Sequence, residues 1–423
     1  MMRTPRLPRW LVLAVITLIS VVRLVISALT PGMTFDVDTF SRWGQVLVDH
    51  PLRDFYAFAG PVADHLPGDL YVHALLARFT TLVGAGPGSP SYVLCLKVTA
   101  SIADLACALV VYRISRQIAG PNARVASQVG LLAVFGAPGS ILVAANWGQW
   151  DSVSVLFFLV GLEALLARRS WLACLMFAWA TLTKPQLGLA AVAAVAVIEF
   201  GARHGWRTLL ARFSAWGAGA CVVVTVLSLP FGIGPAWLGG HWSLLERLSQ
   251  SEQQYPVVSL GSTGVWTLFY PGWHSDSATI AGVTLRTYGH LLLGAALGAI
   301  AVQVMRNIST RRELPALAIW AAGTSMYAFC VTETRVHERY MLPATVILVL
   351  WATTSELAAF PVAVAAATLT IFGATIATAL DLLVPSDSTQ LPYSLLAGLN
   401  VGLFLLTLVV GPFGRWRVIS RPR

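Results

Sequence analysis

Two acidic residues separated by one position, Asp36 and Asp38, follow the first long apolar segment of the chain. A positioned carboxylate can take a proton from a hydroxyl group, and paired carboxylates can also hold a divalent cation. We therefore predict that Asp36 and Asp38 are catalytic. No other spacing in the sequence is typical of metal ligands, so we expect no metal and no other cofactor. A divalent cation held by this pair is the alternative.

Basic residues form two later clusters that interrupt apolar sequence. Lys184 stands just before Pro185 in one cluster, and Arg335, His337 and Arg339 alternate along the other. A guanidinium group presents a fork of N–H donors that matches phosphate oxygens, and lysine adds a compact positive charge. We predict that Lys184, Arg335, His337 and Arg339 bind a phosphate group. A solvated turn and an ordinary anchoring lysine are the structural alternatives.

The elements that must position these residues are membrane helices. The 423 residues are 57% hydrophobic and 11% charged, and the mean hydropathy is +0.72. A span of the hydrocarbon core needs about 20 apolar residues, and the chain has about twelve such segments, of which 152–167, 170–183 and 187–201 are short. We predict an all-α membrane protein with 11–13 transmembrane helices in a single domain, 1–423.

The positive charges follow the membrane topology. The net charge is +9, and most lysines and arginines fall at the termini or in every other loop, which is the positive-inside pattern. This pattern predicts a multi-pass protein of the plasma (inner) membrane with both termini in the cytoplasm. No basic stripe with interleaved aromatic residues is present, which argues against nucleic acid as a partner. The five cysteines lie in apolar segments without CxxC spacing, so we expect neither disulfides nor zinc.

Two long extracytoplasmic loops are predicted, 30–91 with the acidic pair and 232–280. Amphipathic sequence near 38–50 and 67–81 predicts helices that lie on the membrane surface. The segment 259–266 is too short and too rich in glycine to cross the membrane. In this topology the acidic pair and the basic clusters all lie on one face.

Three charges are predicted to lie inside membrane helices. We expect Arg23 to extend to the outer boundary or to pair with a loop carboxylate, because an isolated charge in the membrane is costly. Lys97 and Asp104 are spaced to share one face of a helix, and we expect them to form an ion pair.

A transporter usually carries its polar groups at the middle of the membrane, whereas here they gather at the outer rim. This placement suits a substrate with a polar head at the interface and an apolar tail in the lipid. Carboxylates that accept a proton and cations that stabilise a departing phosphate are together typical of glycosyl transfer from a lipid-phosphate sugar. The residues predicted to contact the sugar or the acceptor are Trp43, Asn146, Gln149, Trp150, Asp151, Gln186 and Glu338.

The chain resembles the GT-C class of multi-pass glycosyltransferases. The resemblance is to the branch that contains the dolichyl-phosphate-glucose-dependent glucosyltransferases and the bacterial polyprenyl-phosphate-sugar transferases, including mannosyltransferases. The matching motifs are Asp36-x-Asp38 with Trp43, the aromatic turn 146–152, the turn 184–186, the segment with Tyr255-Pro256 and Trp266, and His337-Glu338-Arg339.

The resemblance implies a GT-C fold and an inverting enzyme with Asp36 as the base. Such an enzyme moves a hexose, mannose or glucose, from a polyprenyl-phosphate-linked donor to a glycan or glycolipid acceptor on the extracytoplasmic face. The expected partners are therefore the donor, the acceptor and membrane lipid. A protein O-mannosyltransferase and a non-enzymatic flippase or transporter of lipid-linked sugars are the alternatives.

Overall fold

The structure, a computed structural model, describes residues 7–60, 63–120, 123–270, 272–308, 313–355, 358–382 and 390–412. Within these ranges the chain is mainly helical. In chain order the helices are α1 (Arg9–Leu29), α2 (Thr34–Asp49), α3 (Phe55–Phe58), α4 (Pro67–Leu82), α5 (Pro90–Ile118), α6 (Ala123–Phe135), α7 (Pro138–Ile141), α8 (Asp151–Leu166), α9 (Ser170–Thr183), α10 (Leu187–Gly201), α11 (Trp206–Ser228), α12 (Leu244–Gln253), α13 (Val265–Phe269), α14 (Leu285–Asn307), α15 (Leu314–Thr332), α16 (Met341–Thr354), α17 (Ala359–Ala379) and α18 (Gln390–Val410).

Short irregular helices and strands connect these elements. Leu142–Trp147 continues α7 as a wide π-helical segment, and single 3-10 turns cover Leu52–Asp54, Leu229–Phe231, Ala236–Leu238 and Glu338–Tyr340. The strands are β1 (Ser259–Leu260), β2 (Thr279–Ile280), β3 (Val283–Thr284) and β4 (Val336–His337). β1 pairs in parallel with β4, and β2 pairs antiparallel with β3.

The predicted class, an all-α membrane protein, is confirmed. Each of the twelve or so predicted apolar segments coincides with helix, but in the described residues seven helices are long and apolar enough to cross a membrane, or eight if α6 and the segment 138–147, bent by 43°, count as one. The shorter apolar helices include α8, α9, α10 and α16, with 14 to 16 residues each. Every residue of α16 is buried, so this helix faces protein along its whole length.

The predicted pairing of the membrane charges is wrong. Arg23 Nη1 lies 2.6 Å from Asp104 Oδ2, and its Nη2 donates to Phe135 O and Ser140 Oγ. Lys97 Nζ instead donates to Thr30 O at 2.5 Å. Lys97 and Asp104 share a face of α5, but α1 packs against α5 and places Arg23, rather than Lys97, next to the Asp104 carboxylate.

Both segments predicted to form surface helices are helical, as α2 and α4, and they pack against each other. Phe40 and Trp43 of α2 lie in one apolar cluster with Leu70 of α4 and Phe231. As predicted, the segment 259–266 does not span, because it forms only β1 and the start of α13. Through β1, Leu260 pairs with His337 of β4 and holds the turn 335–340 against the loop 229–284.

Candidate functional site

A cavity of about 480 Å³ lies where one end of the helix bundle meets α2 and the loops. This volume is within the range of small-molecule sites. Residues from the start of α2, the end of the segment 142–147, β1 and the turn 338–340 line it. The predicted site residues that line the cavity are Asp36, Trp43, Gln149, His337, Glu338 and Arg339.

Asp36 is half-buried in the first turn of α2. Trp147 Nε1 donates a hydrogen bond to its Oδ2 at 2.6 Å, and the Met33 amide donates to Trp147 O at 3.1 Å. Gly32 makes this approach possible, because it has a φ of +89° and a Cβ there would lie 2.7 Å from Val37 Cγ2. The carboxylate is therefore held in one orientation, with its other oxygen available to the cavity.

Asp38 does not line the cavity. The sequence predicted a surface helix only from about residue 38, but α2 begins at Thr34 and contains both Asp36 and Asp38. Residues two apart in a helix point about 200° away from each other. Asp38 is accordingly exposed while its helix neighbours Val37 and Thr39 are buried. The pair is not arranged to share a cation, and the described residues contain no group of three or more His, Cys, Asp or Glu side chains that could hold one.

Arg339 is the main cation of the cavity. Its guanidinium lies over the Trp147 ring, 5.5 Å from the centroid, so Trp147 contacts both Arg339 and Asp36. Behind it, Arg339 Nε is 3.6 Å from Asp151 Oδ2, and the carboxylates of Asp36, Asp151 and Glu338 raise the pKa of Arg339 although burial lowers it. The guanidinium therefore stays charged.

The neighbours of Arg339 in the turn have shifted pKa values of their own. Burial, opposed by Arg339, raises the pKa of Glu338 to about 7. Burial and the positive charge of Arg339 hold the pKa of His337 well below its ordinary value. At neutral pH His337 is therefore a neutral hydrogen-bonding group, and Glu338 is partly protonated.

Asp151 and Lys184 lie behind the cavity rather than in its wall. Lys184 Nζ is 3.2 Å from Asp151 Oδ1, and both side chains are nearly inaccessible. Burial lowers the pKa of Lys184, but Asp151, Tyr340 and Asp69 together raise it by more, and the net shift is upward. Asp151 thus serves as counter-ion to both Lys184 and Arg339. The sequence around these residues does not indicate this role.

The structure places the other predicted residues away from the cavity. Arg335 Nε lies 2.5 Å from Asp276 Oδ2, and with Gln186 it lines a neighbouring pocket of about 340 Å³. Trp150 stacks on His73 at 4.0 Å between ring centroids and is a packing residue. Asn146 is half-buried in the segment before the turn and does not reach the cavity wall.

Sequence reasoning missed several residues of the cavity wall. These are Phe35, Phe40, Asp64, His65, Trp147, Trp273 and Tyr393, among others. His65 was available from the sequence, because it lies four residues before Asp69 at the start of a predicted helix. Trp147 stands inside the aromatic turn, but nothing in its spacing shows that its indole points at Asp36.

No protein-family model matches the chain, and no curated protein matches it. Among solved structures it is similar to ArnT from Cupriavidus metallidurans in the apo state, with 16% sequence identity and a TM-score of 0.43, over 95% of this chain and 77% of that chain. A likeness of this size defines neither the family nor the activity of the chain.

Proposed function

We propose that the protein is an inverting membrane glycosyltransferase of GT-C type. It moves a hexose, mannose or glucose, from a polyprenyl-phosphate-linked donor to a glycan or lipid-linked acceptor on the extracytoplasmic face, and it needs no metal. The observation that carries the proposal is that a carboxylate and a guanidinium, Asp36 and Arg339, face one cavity and both contact Trp147.

The reaction assigned to this cavity uses the two charges separately. Asp36 takes the proton of the acceptor hydroxyl, whose oxygen forms a bond to the sugar C1 while the bond from C1 to the phosphate oxygen breaks. The polyprenyl phosphate leaves with the bonding electron pair, and Arg339 stabilises its charge. Such a positioned base typically contributes about 10²–10⁴-fold to a rate, and stabilisation of developing charge is usually the larger effect.

The surroundings of the cavity suit a lipid-linked donor. Phe35 and Trp273 line the cavity and are 57% and 75% exposed, so an apolar surface continues outward from the polar wall. An isoprenoid chain can lie along such a surface while its phosphate reaches Arg339. Glu338 and Gln149, also in the wall, are available to hydrogen-bond to sugar hydroxyls.

The test is a transfer assay with purified protein, polyprenyl-phosphate mannose or glucose, and glycan, glycolipid or peptide acceptors. We expect transfer by the wild type, with and without a chelator. Asp36→Asn should lose at least about 100-fold in rate, because the base is removed. Asp38→Asn is the matched control and should keep nearly full activity, since this residue is exposed on the opposite face of α2.

Other results of this assay would favour a different function or contradict the assignment of the base. Transfer only to peptide would favour a protein O-mannosyltransferase. Donor binding without transfer or hydrolysis would favour a flippase or transporter. Wild-type turnover in Asp36→Asn would remove the assignment of the base.

A further inference from the structure

The cavity has fewer positive charges than its proposed substrate requires. Of the four predicted phosphate ligands, Lys184 is paired with Asp151 behind the wall and Arg335 is paired with Asp276 in another pocket. His337 lines the cavity but is neutral at neutral pH. A phosphate monoester leaving group carries about 1.5 to 2 negative charges at neutral pH, so Arg339 leaves part of this charge without a partner.

His65 is placed to provide the missing charge. Its ring lines the same cavity, and its Nδ1 lies 2.6 Å from Asp69 Oδ2. Asp69 is 1% exposed, whereas the His65 side chain is 12% exposed. Since Nδ1 is engaged by the buried carboxylate, Nε2 is the ring nitrogen that remains for a ligand.

The local sequence builds this arrangement. Pro67 opens α4 and Asp69 lies in its first turn, where the helix dipole favours a negative charge. His65 precedes the helix, and Tyr56 Oη donates to its backbone oxygen at 2.8 Å. Asp69 Oδ1 is buried and has no hydrogen-bond partner. A buried carboxylate is costly unless it is paired, so the cluster favours a protonated His65.

The charged surroundings of His65 point the same way. Burial and the positive charge of Lys184 lower its pKa. The carboxylates of Asp69 and Asp64 together raise it by more, so the net pKa is above its ordinary value. The other titratable groups that interact with His65 or Asp69 are His73, His337 and Tyr56. Burial lowers the pKa of both histidines, so neither competes with His65 for the proton.

We propose that His65, held by Asp69, is the second cationic ligand of the donor phosphate and works together with Arg339. Its Nε2–H donates a charge-assisted hydrogen bond to a phosphate oxygen before and after the sugar leaves. This assignment rests on the proposed function of the cavity. It differs from the predicted phosphate clamp, which drew all its cations from the later part of the chain.

The experiment measures the affinity of purified protein for two probes, polyprenyl-phosphate mannose and polyprenyl phosphate without sugar. A charge-assisted hydrogen bond corresponds to about ten-fold or more in affinity. His65→Gln should therefore lower the affinity for both probes by about that factor near neutral pH. His50→Gln is the control, because His50 stacks on Phe58 outside the cavity. This variant should bind both probes as the wild type does.

Asp69→Asn gives a second readout that a merely structural role would not produce. Without the carboxylate the pKa of His65 falls, so binding relative to the wild type should be weak near neutral pH and should recover as the pH is lowered. His65→Gln should show no such recovery. Because Glu338 titrates in every variant, the quantity compared is the ratio of variant to wild-type affinity at each pH.

The outcomes separate this inference from the proposed function. Unchanged affinity in folded His65→Gln would overturn the inference, and so would a loss confined to the sugar-bearing probe. A loss in Asp69→Asn that does not change with pH would overturn the role of Asp69. If the folded wild type bound neither probe, the proposed function would fail and this inference with it.

Discussion

Glu338 makes the charge of the cavity depend on pH. Its carboxyl group is buried next to Arg339, with Oε1 3.3 Å from Arg339 Nη1, and its pKa is raised to about 7. Below this pKa the side chain is neutral, and above it a negative charge adjoins the guanidinium that is proposed to hold the phosphate. Loss of the proton should therefore oppose the binding of an anionic donor.

We predict that Glu338→Gln binds a polyprenyl-phosphate donor several-fold more tightly than the wild type at about pH 8 and equally at about pH 6. The sign follows because glutamine stays neutral at both pH values, whereas glutamate is charged only at the higher one. Titration of donor binding at the two pH values checks it. Tighter binding that is the same at both pH values would mean that the charge of Glu338 is not the cause.

At the scale of elements, one buried ion pair joins five helices of the bundle, α1, α5, α6, α7 and α8. Arg23 of α1 pairs with Asp104 of α5 and donates to Phe135 O and Ser140 Oγ. Asp104 also accepts a hydrogen bond from Ser152 at the start of α8. Arg23 is 1% exposed and Asp104 is 2% exposed. Such a pair orients helices, and it is costly to leave half of it in place.

Asp104→Asn should lower the free energy of unfolding by about 3–5 kcal/mol, because Arg23 keeps its charge without a counter-ion. Thermal or denaturant stability in detergent measures the loss. The exposed Asp49, which accepts a hydrogen bond from Gln45, provides the control Asp49→Asn. Replacing both partners, Arg23→Met with Asp104→Leu, should recover most of the stability. Wild-type stability of Asp104→Asn alone would show that the pair contributes little.

At the scale of the whole molecule, charge is divided between the two ends of the bundle. The cavity is at one end, where α1 and α9 finish and α5 and α8 begin. Basic residues collect at the other end of these helices, and those that the structure describes include Arg113, Arg116, Arg124, Arg168, Arg169 and Arg207. The other arginines of the termini, Arg3, Arg6, Arg415, Arg417, Arg421 and Arg423, and also Arg311 and Arg312, lie outside the described residues. The positive-inside rule predicts that the basic end faces the cytoplasm.

The proposed orientation can be tested with single cysteines in a background without the five native ones. Asp38→Cys at the cavity end should react with a membrane-impermeant maleimide in intact cells. Arg116→Cys at the other end of α5 should react only after the membrane is opened. Both side chains are exposed in the fold, so access to the reagent reports the side of the membrane. The reverse pattern would place the cavity in the cytoplasm and contradict an extracytoplasmic reaction.

Part of the site could be predicted from sequence, and part could not. Asp36 and Arg339 were identified by residue type and by their position beside apolar segments, and the structure places both in the cavity. Asp38 was grouped with Asp36 because the predicted surface helix began only near residue 38. The helix α2 begins at Thr34, and its geometry separates the two side chains. Arg335 looked equivalent to Arg339, but Asp276, from a distant loop, engages it.

The sequence by itself determined the class of the protein and the positions of its helices. Apolar composition over a window of residues is a local property, and a backbone inside a membrane must satisfy its hydrogen bonds locally, so helix follows directly. The tertiary structure decided which charges meet: Arg23 with Asp104, Lys184 and Arg339 with Asp151, and His65 beside the cavity. These contacts depend on the packing and rotation of helices that are far apart in the chain, which no local pattern encodes.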